Sequence, residues 1–218
     1  QCNLGCGYCY ADGGGFGQAQ AQAAPMDWGV ARLAIDGLLA GLPPGATARI
    51  AFMGGEPLLA RALLRQASTY ASDACQRRGL RLQLAVTTNA TLLDATDAAY
   101  FAAHGFAVTV SLDGEAALHD ALRPTRGGSG SHARILARLP ALLARQGEAP
   151  LPGRSPMQAS ARVTVTPRHT QLRASVEHLM GLGFHSVGVS PSLSARDASL
   201  QIADDGFAAL LAQMVDCA

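Results

Sequence analysis

The sequence predicts an α/β fold built on a parallel sheet. Two observations carry that prediction. Short apolar runs rich in Val, Ile, Thr and Phe alternate along the chain with longer stretches of helical periodicity. The Gly-, Asn- and Asp-bearing motifs fall just after the apolar runs. Strands separated by helices pair in parallel through right-handed crossovers. In barrels and open α/β sheets alike, the edge after the strands is where ligands bind.

The elements follow in order. Trp28–Gly41 carries apolar residues at helical spacing, among them Val30, Leu33 and Leu38. Ala48–Met53 (ARIAFM) is a strand that runs into Gly54-Gly55, and Leu58–Arg78 is a long Ala/Leu/Arg-rich helix. Leu80–Val86 (LRLQLAV) is a strand ending at Thr87-Thr88-Asn89, followed by the helical segment Asp94–Ala103. Phe106–Leu112 (FAVTVSL) is a strand ending at Asp113-Gly114, and Ser131–Arg145 is the next helix. Ala161–Thr166 (ARVTVT) ends at Pro167, and Leu172–Leu182 is a helix that Gly183 closes. Ser186–Ser190 (SVGVS) ends at Pro191, and Asp205–Cys217 is a last helix. Gly13–Pro25 and Gly147–Pro156 are Gly/Pro/Ala-rich and read as loops.

Composition narrows the function classes. With 218 residues, 49% of them hydrophobic, the chain can bury one sizeable core. Seventeen cationic against 16 acidic residues leave a net charge of +1, so no basic field exists for nucleic acid. Every cationic residue is Arg; a catalytic lysine is excluded from this segment. No run of about 18 apolar residues marks a membrane span. No signal peptide is visible, and the chain opens one residue before its first cysteine, as a piece of a longer protein would. Five cysteines, an odd number with three of them clustered, point to a reducing compartment and a cytoplasmic location.

Those three, Cys2, Cys6 and Cys9 in CNLGCGYC, are the chemical centre of the sequence. Iron–sulfur clusters are ordinarily held by four thiolates. Three on one tight loop would hold three irons of a cubane and leave the fourth open for chemistry. Two other readings stand beside this one: part of a structural zinc site whose fourth ligand lies elsewhere, and part of a disulfide framework.

CNLGCGYC, GGEP, TTNAT, SLDG and HDALRP occur in this order, the middle three each at a strand end. Together they resemble the radical S-adenosylmethionine (SAM) enzymes, and specifically the branch that modifies peptides and proteins. That branch includes sulfatase maturases and the maturases of ribosomal peptides. The resemblance implies a partial (β/α)6 barrel of the TIM type. The strands read here would be its second to sixth, with the first strand and a C-terminal accessory cluster domain missing from this segment. Residues 1–218 would be one radical SAM core domain.

It also implies the cofactors: a [4Fe-4S] cluster with one open iron, SAM, and further iron–sulfur clusters in the missing domain. Only Cys75 and Cys217 lie outside the motif, too few to hold another cluster here. Cys2, Cys6 and Cys9 would be the metal ligands. Tyr8 stands where the family places an aromatic near the adenine, with plain core packing as the alternative. Carbonyls around Gly54, Gly55 and Glu56 would accept from the SAM ammonium, with Glu56 also a candidate to steady its own loop. Ser111 and Arg123 would grip the SAM carboxylate, which a hydroxyl and a guanidinium fork suit. Asn89 and Thr88 would reach ribose or substrate. Arg162, a charge in an apolar strand, would point inward to SAM or outward to water. The segment Val189–Ser192 would close the adenine side. Asp113 is either a turn cap or a pocket acid. His119, His169 and His185 have no ligand spacing and read as core or surface residues. Cys75 reads as a small buried apolar residue.

The implied activity is reductive cleavage of SAM to a 5′-deoxyadenosyl radical that takes hydrogen from a polypeptide. The partners would be a peptide or protein substrate, with or without a leader peptide, and a reductant such as flavodoxin or ferredoxin. The product would be a thioether or other crosslink. Alternatives are formylglycine formation by an anaerobic sulfatase maturase, a non-catalytic iron–sulfur or zinc-binding module, and an inactive scaffold that binds a leader peptide.

Overall fold

The computed structural model describes residues 1–15, 26–169, 171–215 and 217. Most of the expected loop Gly13–Pro25 lies outside these residues; within them Asp12–Gly14 forms a 3-10 turn. Strands β1 (Thr47–Phe52), β2 (Arg81–Thr88), β3 (Phe106–Ser111), β4 (Gln158–Val165) and β5 (Ser186–Pro191) form one sheet in the order β1-β2-β3-β4-β5. Every neighbouring pair is parallel. Helices α1 (Trp28–Ala40), α2 (Arg61–Arg77), α3 (Ala95–His104), α4 (Ala116–Leu122), α5 (His132–Leu136), α6 (Leu139–Leu143), α7 (Leu172–Gly181) and α8 (Asp204–Val215) complete the chain.

Strictly sequential strand order separates this fold from a doubly wound sheet, whose order reverses at a switch point. Crossovers that all advance in one direction, each right-handed, lay their helices on one face of the sheet. That leaves the other face free to line an interior, as in an arc of a barrel. The side chains follow suit. Leu82, Leu84 and Val86 of β2, Val108 and Val110 of β3, and Ala159, Ala161 and Val163 of β4 alternate into the core with the helices. The intervening positions are polar or small: Thr87, Thr109 and Ser111, then Ser160, Arg162 and Thr164. The register sets Ser111 beside Arg162 and Arg162 beside Gly188, so this polar face is continuous across the sheet.

The helix expected over Leu58–Arg78 starts at Arg61, after a 3-10 turn over Pro57–Ala60, and three other differences from the reading above stand out. The helix expected over Ser131–Arg145 is two short helices, α5 and α6, with Pro140 in the first turn of the second. A proline inside a continuous helix would remove a hydrogen bond and clash with the carbonyl four residues back. Helix α4, unforeseen, starts two residues after SLDG and includes His119–Leu122 of HDALRP. Strand β4 begins at Gln158, three residues before the apolar pattern does, because Gln158 and Ser160 face the polar interior. Elsewhere local chemistry explains the boundaries. Asp94 caps α3 in a reciprocal box with Asp97, and Gly105 ends it in the left-handed conformation (φ 64°). Gly147–Pro156 contains no helix or strand, as expected of a loop.

Candidate functional site

An open cavity of about 430 Å³ lies where the strands end. Cys2, Cys6 and Cys9 line it together with Gly54 and Gly55 after β1, Asn89 after β2, Ser111 closing β3, and Arg123. Arg162 and Thr164 of β4 and Ser190 of β5 complete the polar wall. The polar strand face therefore runs directly into the cysteine loop.

The three thiols are free and half-buried. The loop that carries them is fixed by backbone pairing rather than by regular structure. Gly5 N–H donates to the Pro124 carbonyl (2.8 Å) and Gly7 N–H to the Leu122 carbonyl (3.1 Å). Glu56 N–H donates to the Gln1 carbonyl (2.8 Å), which ties the start of the loop to the glycine turn after β1. Each sulfur has an N–H donor aimed at it. Leu4 N–H (3.5 Å) and the Asn89 amide (3.7 Å) face Cys2 Sγ, Gly13 N–H (3.3 Å) faces Cys9 Sγ, and Arg123 Nη1 stands 4.0 Å from Cys6 Sγ. Burial pushes the Cys6 thiol up to about 11 against the opposing pull of Arg123, and raises Cys2 as well. Thiols so placed release their protons to a metal rather than to water.

Arg123 and Asp113 form a buried ion pair, with Nε 2.9 Å from Oδ2 and Asp113 wholly inaccessible. The same carboxylate accepts from the Tyr8 hydroxyl and, through Oδ1, from Thr164 N–H (3.0 Å). The guanidinium lies over the Tyr8 ring, 5.1 Å from its centre. Burial pulls against the Arg123 charge, but Asp113 more than offsets it and the pKa is net raised. Behind the pair, His119 Nδ1 accepts from Asp113 N–H (3.2 Å). Its Nε2 meets Ser131 Oγ (2.9 Å), which donates to the Arg123 carbonyl (2.6 Å). This pattern requires the neutral Nε2–H tautomer, and burial accordingly lowers the His119 pKa to about 4. Asp113 thus resolves as an internal anchor, neither turn cap nor pocket acid, and His119 as a buried core residue.

Glu56 stands apart from the other candidates. Its carboxylate is buried and accepts from Leu58 N–H (2.9 Å), Thr88 Oγ1 (2.7 Å) and Asn89 N–H (2.7 Å). Its carbonyl accepts from Leu59 N–H (3.1 Å). The residue joins the ends of β1 and β2 and does not face the cavity, so of its two expected roles the geometry favours steadying the loop. Asn89 lines the cavity, but its amide donates to Asn3 Oδ1 (2.9 Å) as well as facing Cys2. Asn3 in turn donates to Thr91 Oγ1 (2.7 Å). Arg162 is exposed, lies on the cavity side of β4 and donates to Ser190 Oγ (2.7 Å). Tyr8 both lines the cavity and packs against Leu122 and Leu200.

Of the segment Val189–Ser192, Ser190, Pro191 and Ser192 line the cavity, whereas Thr87 and Thr164, which follow from the same two-residue alternation as Ser111 and Arg162, were missed from sequence, as were Tyr10, Met53 and Leu193, exposed apolar side chains at the rim. The Ser192 hydroxyl is buried and unpaired. The residues fit an iron–sulfur group. Three free thiols, each with a donor, share one cavity. Among the described residues no helix is long and apolar enough to cross a membrane.

Comparison with known proteins agrees. A model of the family described as "Radical SAM superfamily" matches residues 1–148. The serine-type anaerobic sulfatase-maturating enzyme of Klebsiella aerogenes is 35% identical over 134 residues, which cover 58% of this chain and 30% of that protein. Its counterpart from Klebsiella pneumoniae is 34% identical over 134 residues, 58% of this chain and 31% of that one. The chain thus spans less than a third of the length of these relatives. Among solved structures, one described as native anSMEcpe with bound AdoMet superposes with a TM-score of 0.78 at 17% identity, covering 99% of this chain and 57% of that one. A second, described as the same protein with bound AdoMet and the Kp18Cys peptide, gives 0.77 at 17% identity, covering 99% and 56%.

Proposed function

The chain belongs to the radical SAM superfamily, and from that premise we propose that it is the SAM-cleaving core of an enzyme that modifies a peptide or protein. One observation carries the reading: three free thiols share a single cavity with Ser111, Arg123, Arg162 and the Gly54-Gly55 turn, at the ends of parallel strands. In this reading Cys2, Cys6 and Cys9 hold a [4Fe-4S] cluster, and Ser111 with Arg123 takes the SAM carboxylate. When bound, cluster and SAM supply a 5′-deoxyadenosyl radical able to take hydrogen from an unactivated carbon. The chain's own residues bind, orient and exclude water. Gly54 and Gly55 let backbone carbonyls approach the SAM ammonium. Arg162 and Ser190 present a fixed polar wall, and Tyr8 flanks the adenine. Glu56 and Asn89 hold the glycine turn and the cysteine loop together.

The substrate class is a polypeptide. The relatives are named as maturases of sulfatases, and one structural neighbour carries a peptide. Of the finer readings, oxidation of a Ser or Cys side chain to formylglycine has the support of those names. Thioether or other crosslink formation rests on the motif resemblance alone. Further iron–sulfur clusters, a flavodoxin- or ferredoxin-like reductant, a leader peptide and a cytoplasmic location belong to the same proposal.

The test is anaerobic reconstitution with iron and sulfide, then SAM and dithionite. Release of 5′-deoxyadenosine that disappears on triple substitution of Cys2, Cys6 and Cys9 by Ala supports the reading; a metal fully ligated by protein, with no deoxyadenosine released, overturns it. With a Ser-containing peptide, loss of two hydrogens accompanied by reactivity toward a hydrazide marks formylglycine. The same mass loss from a Cys-containing peptide, without that reactivity, marks a crosslink.

A further inference from the structure

The site gives Arg123 more to do than meet a carboxylate. Its position is fixed by the cysteine loop itself: the carbonyls on either side of it, Leu122 and Pro124, accept from Gly7 and Gly5, which bracket Cys6. Its Nη1 is the donor facing Cys6 Sγ, at 4.0 Å. That is long for a neutral bond, but a full charge acts across such a distance when water is excluded. Only 7% of Arg123 is accessible. Its Nε is held by Asp113, and its carbonyl is held by Ser131, so the guanidinium has no freedom to swing to solvent. Asp113, paired with Arg123 at 2.9 Å, carries the opposite charge.

The potential of an iron–sulfur centre depends on nearby charge and on hydrogen bonds to its sulfurs. A cation beside a ligating sulfur stabilises the more negative, reduced state. We propose that Arg123 tunes the reduction potential of the cluster through Cys6, and that Asp113 offsets part of its charge. The inference rests on the reading that the three cysteines carry an iron–sulfur cluster, and it is independent of whether Arg123 also contacts SAM.

Potentiometric titration of the reconstituted protein without SAM, followed by electron paramagnetic resonance, tests it on Arg123→Met, Asp113→Asn and the double variant. Arg123→Met removes the cation and shifts the midpoint to more negative potential. Asp113→Asn leaves the cation unbalanced and shifts the midpoint the other way. A role limited to SAM binding or to packing predicts no such opposition. Unmoved midpoints, or single variants that shift in the same direction, overturn the inference. Should either single variant fail to fold, the double variant decides, because it removes both buried charges together: a midpoint more negative than wild type supports the inference and an unchanged one refutes it. Wild-type protein that takes up no cluster overturns the cluster reading and this inference with it; normal loading with unmoved midpoints overturns the tuning alone.

Discussion

Replacing Gly55 by Ala should damage the cysteine loop far more than the fold. A Cβ at Gly55 would overlap the Gln1 carbonyl and stand 2.9 Å from the Cys2 nitrogen. Gly55 has no positive φ, so the objection is steric and not conformational. The obstacle is backbone, which cannot rotate aside as a side chain would, so the start of the loop must retreat, on the order of 1 Å by hard-sphere reasoning. The retreat stretches or breaks the Glu56 N–H to Gln1 carbonyl bond of 2.8 Å. Overpacking costs roughly 1–3 kcal/mol and the bond about 1 kcal/mol. The total, about 2–4 kcal/mol, falls on docking of the loop, because the loop can detach while the sheet stays intact. At about 1.4 kcal/mol per factor of ten, cluster retention should weaken by roughly 30- to 700-fold. The assay is iron per chain after reconstitution, followed by the rate of loss to a chelator, with Tm of the unloaded protein measured alongside. Gly55→Ala protein that keeps its iron as wild type does would refute the reasoning, and so would a collapse of Tm that matched the loss of iron.

Three further outcomes are expected. Glu56→Gln keeps the acceptor for Leu58 and Thr88 but turns an NH2 toward Asn89 N–H; about 2 kcal/mol should be lost, partly offset by relief of charge burial, and calorimetry should find Tm lower by ~4–8 °C. His119 is neutral when folded, with a pKa near 4, but protonates near 6.5 when unfolded. Protons therefore favour the unfolded chain, and stability falls as pH drops from about 6.5 to 4, by up to about 3 kcal/mol from this group. His119→Asn, which keeps an acceptor for Asp113 N–H, should flatten that slope in urea titrations at stepped pH, and an unchanged slope would remove His119 from the account. Gly37 is exposed within α1 and a Cβ there meets nothing within 4 Å; Gly37→Ala should stabilise by about 0.8–1 kcal/mol and raise Tm by ~2–4 °C.

Much of the fold was legible because strand and helix periodicity are local. All five strands lie where short apolar runs end in Gly-, Asn-, Asp- or Pro-bearing motifs. Helix α4 escaped because seven residues show barely two turns of pattern, and α5 and α6 were fused because helical composition outweighed Pro140. The site divides along the same line. The cysteine spacing and the strand-end motifs are visible in one dimension. The partners that decide roles are not: Asp113 meets Tyr8 across 105 positions and Asn89 meets Cys2 across 87. A carboxylate that steadies a glycine turn and one inside a pocket look alike in sequence. Only the closing of the sheet shows that Glu56 and Asp113 both face inward, each satisfied by three donors.

The way the cysteine loop is held has a consequence for how it tolerates change. Few apolar side chains anchor it; Leu4, Tyr8 and Ala11 are its buried ones. Instead, three successive strand ends latch it with directional bonds. The turn after β1 holds Gln1, Asn89 after β2 holds Asn3 and faces Cys2, and Asp113 after β3 holds Tyr8 and pairs with Arg123, which faces Cys6. Apolar packing fixes a loop's average position but tolerates sliding, whereas hydrogen bonds with defined partners fix individual atoms. Because β1, β2 and β3 are locked in parallel register, the spacing of the latches is set by the sheet, and the spacing of the latches sets that of the sulfurs. Damage to one latch should therefore be felt first at the cysteine it serves. Asn89→Ala should loosen Cys2 while leaving the Arg123 contact at Cys6, and Arg123→Met should remove the contact at Cys6 while leaving Cys2 held, a separation that a loop held by a common apolar core would not allow.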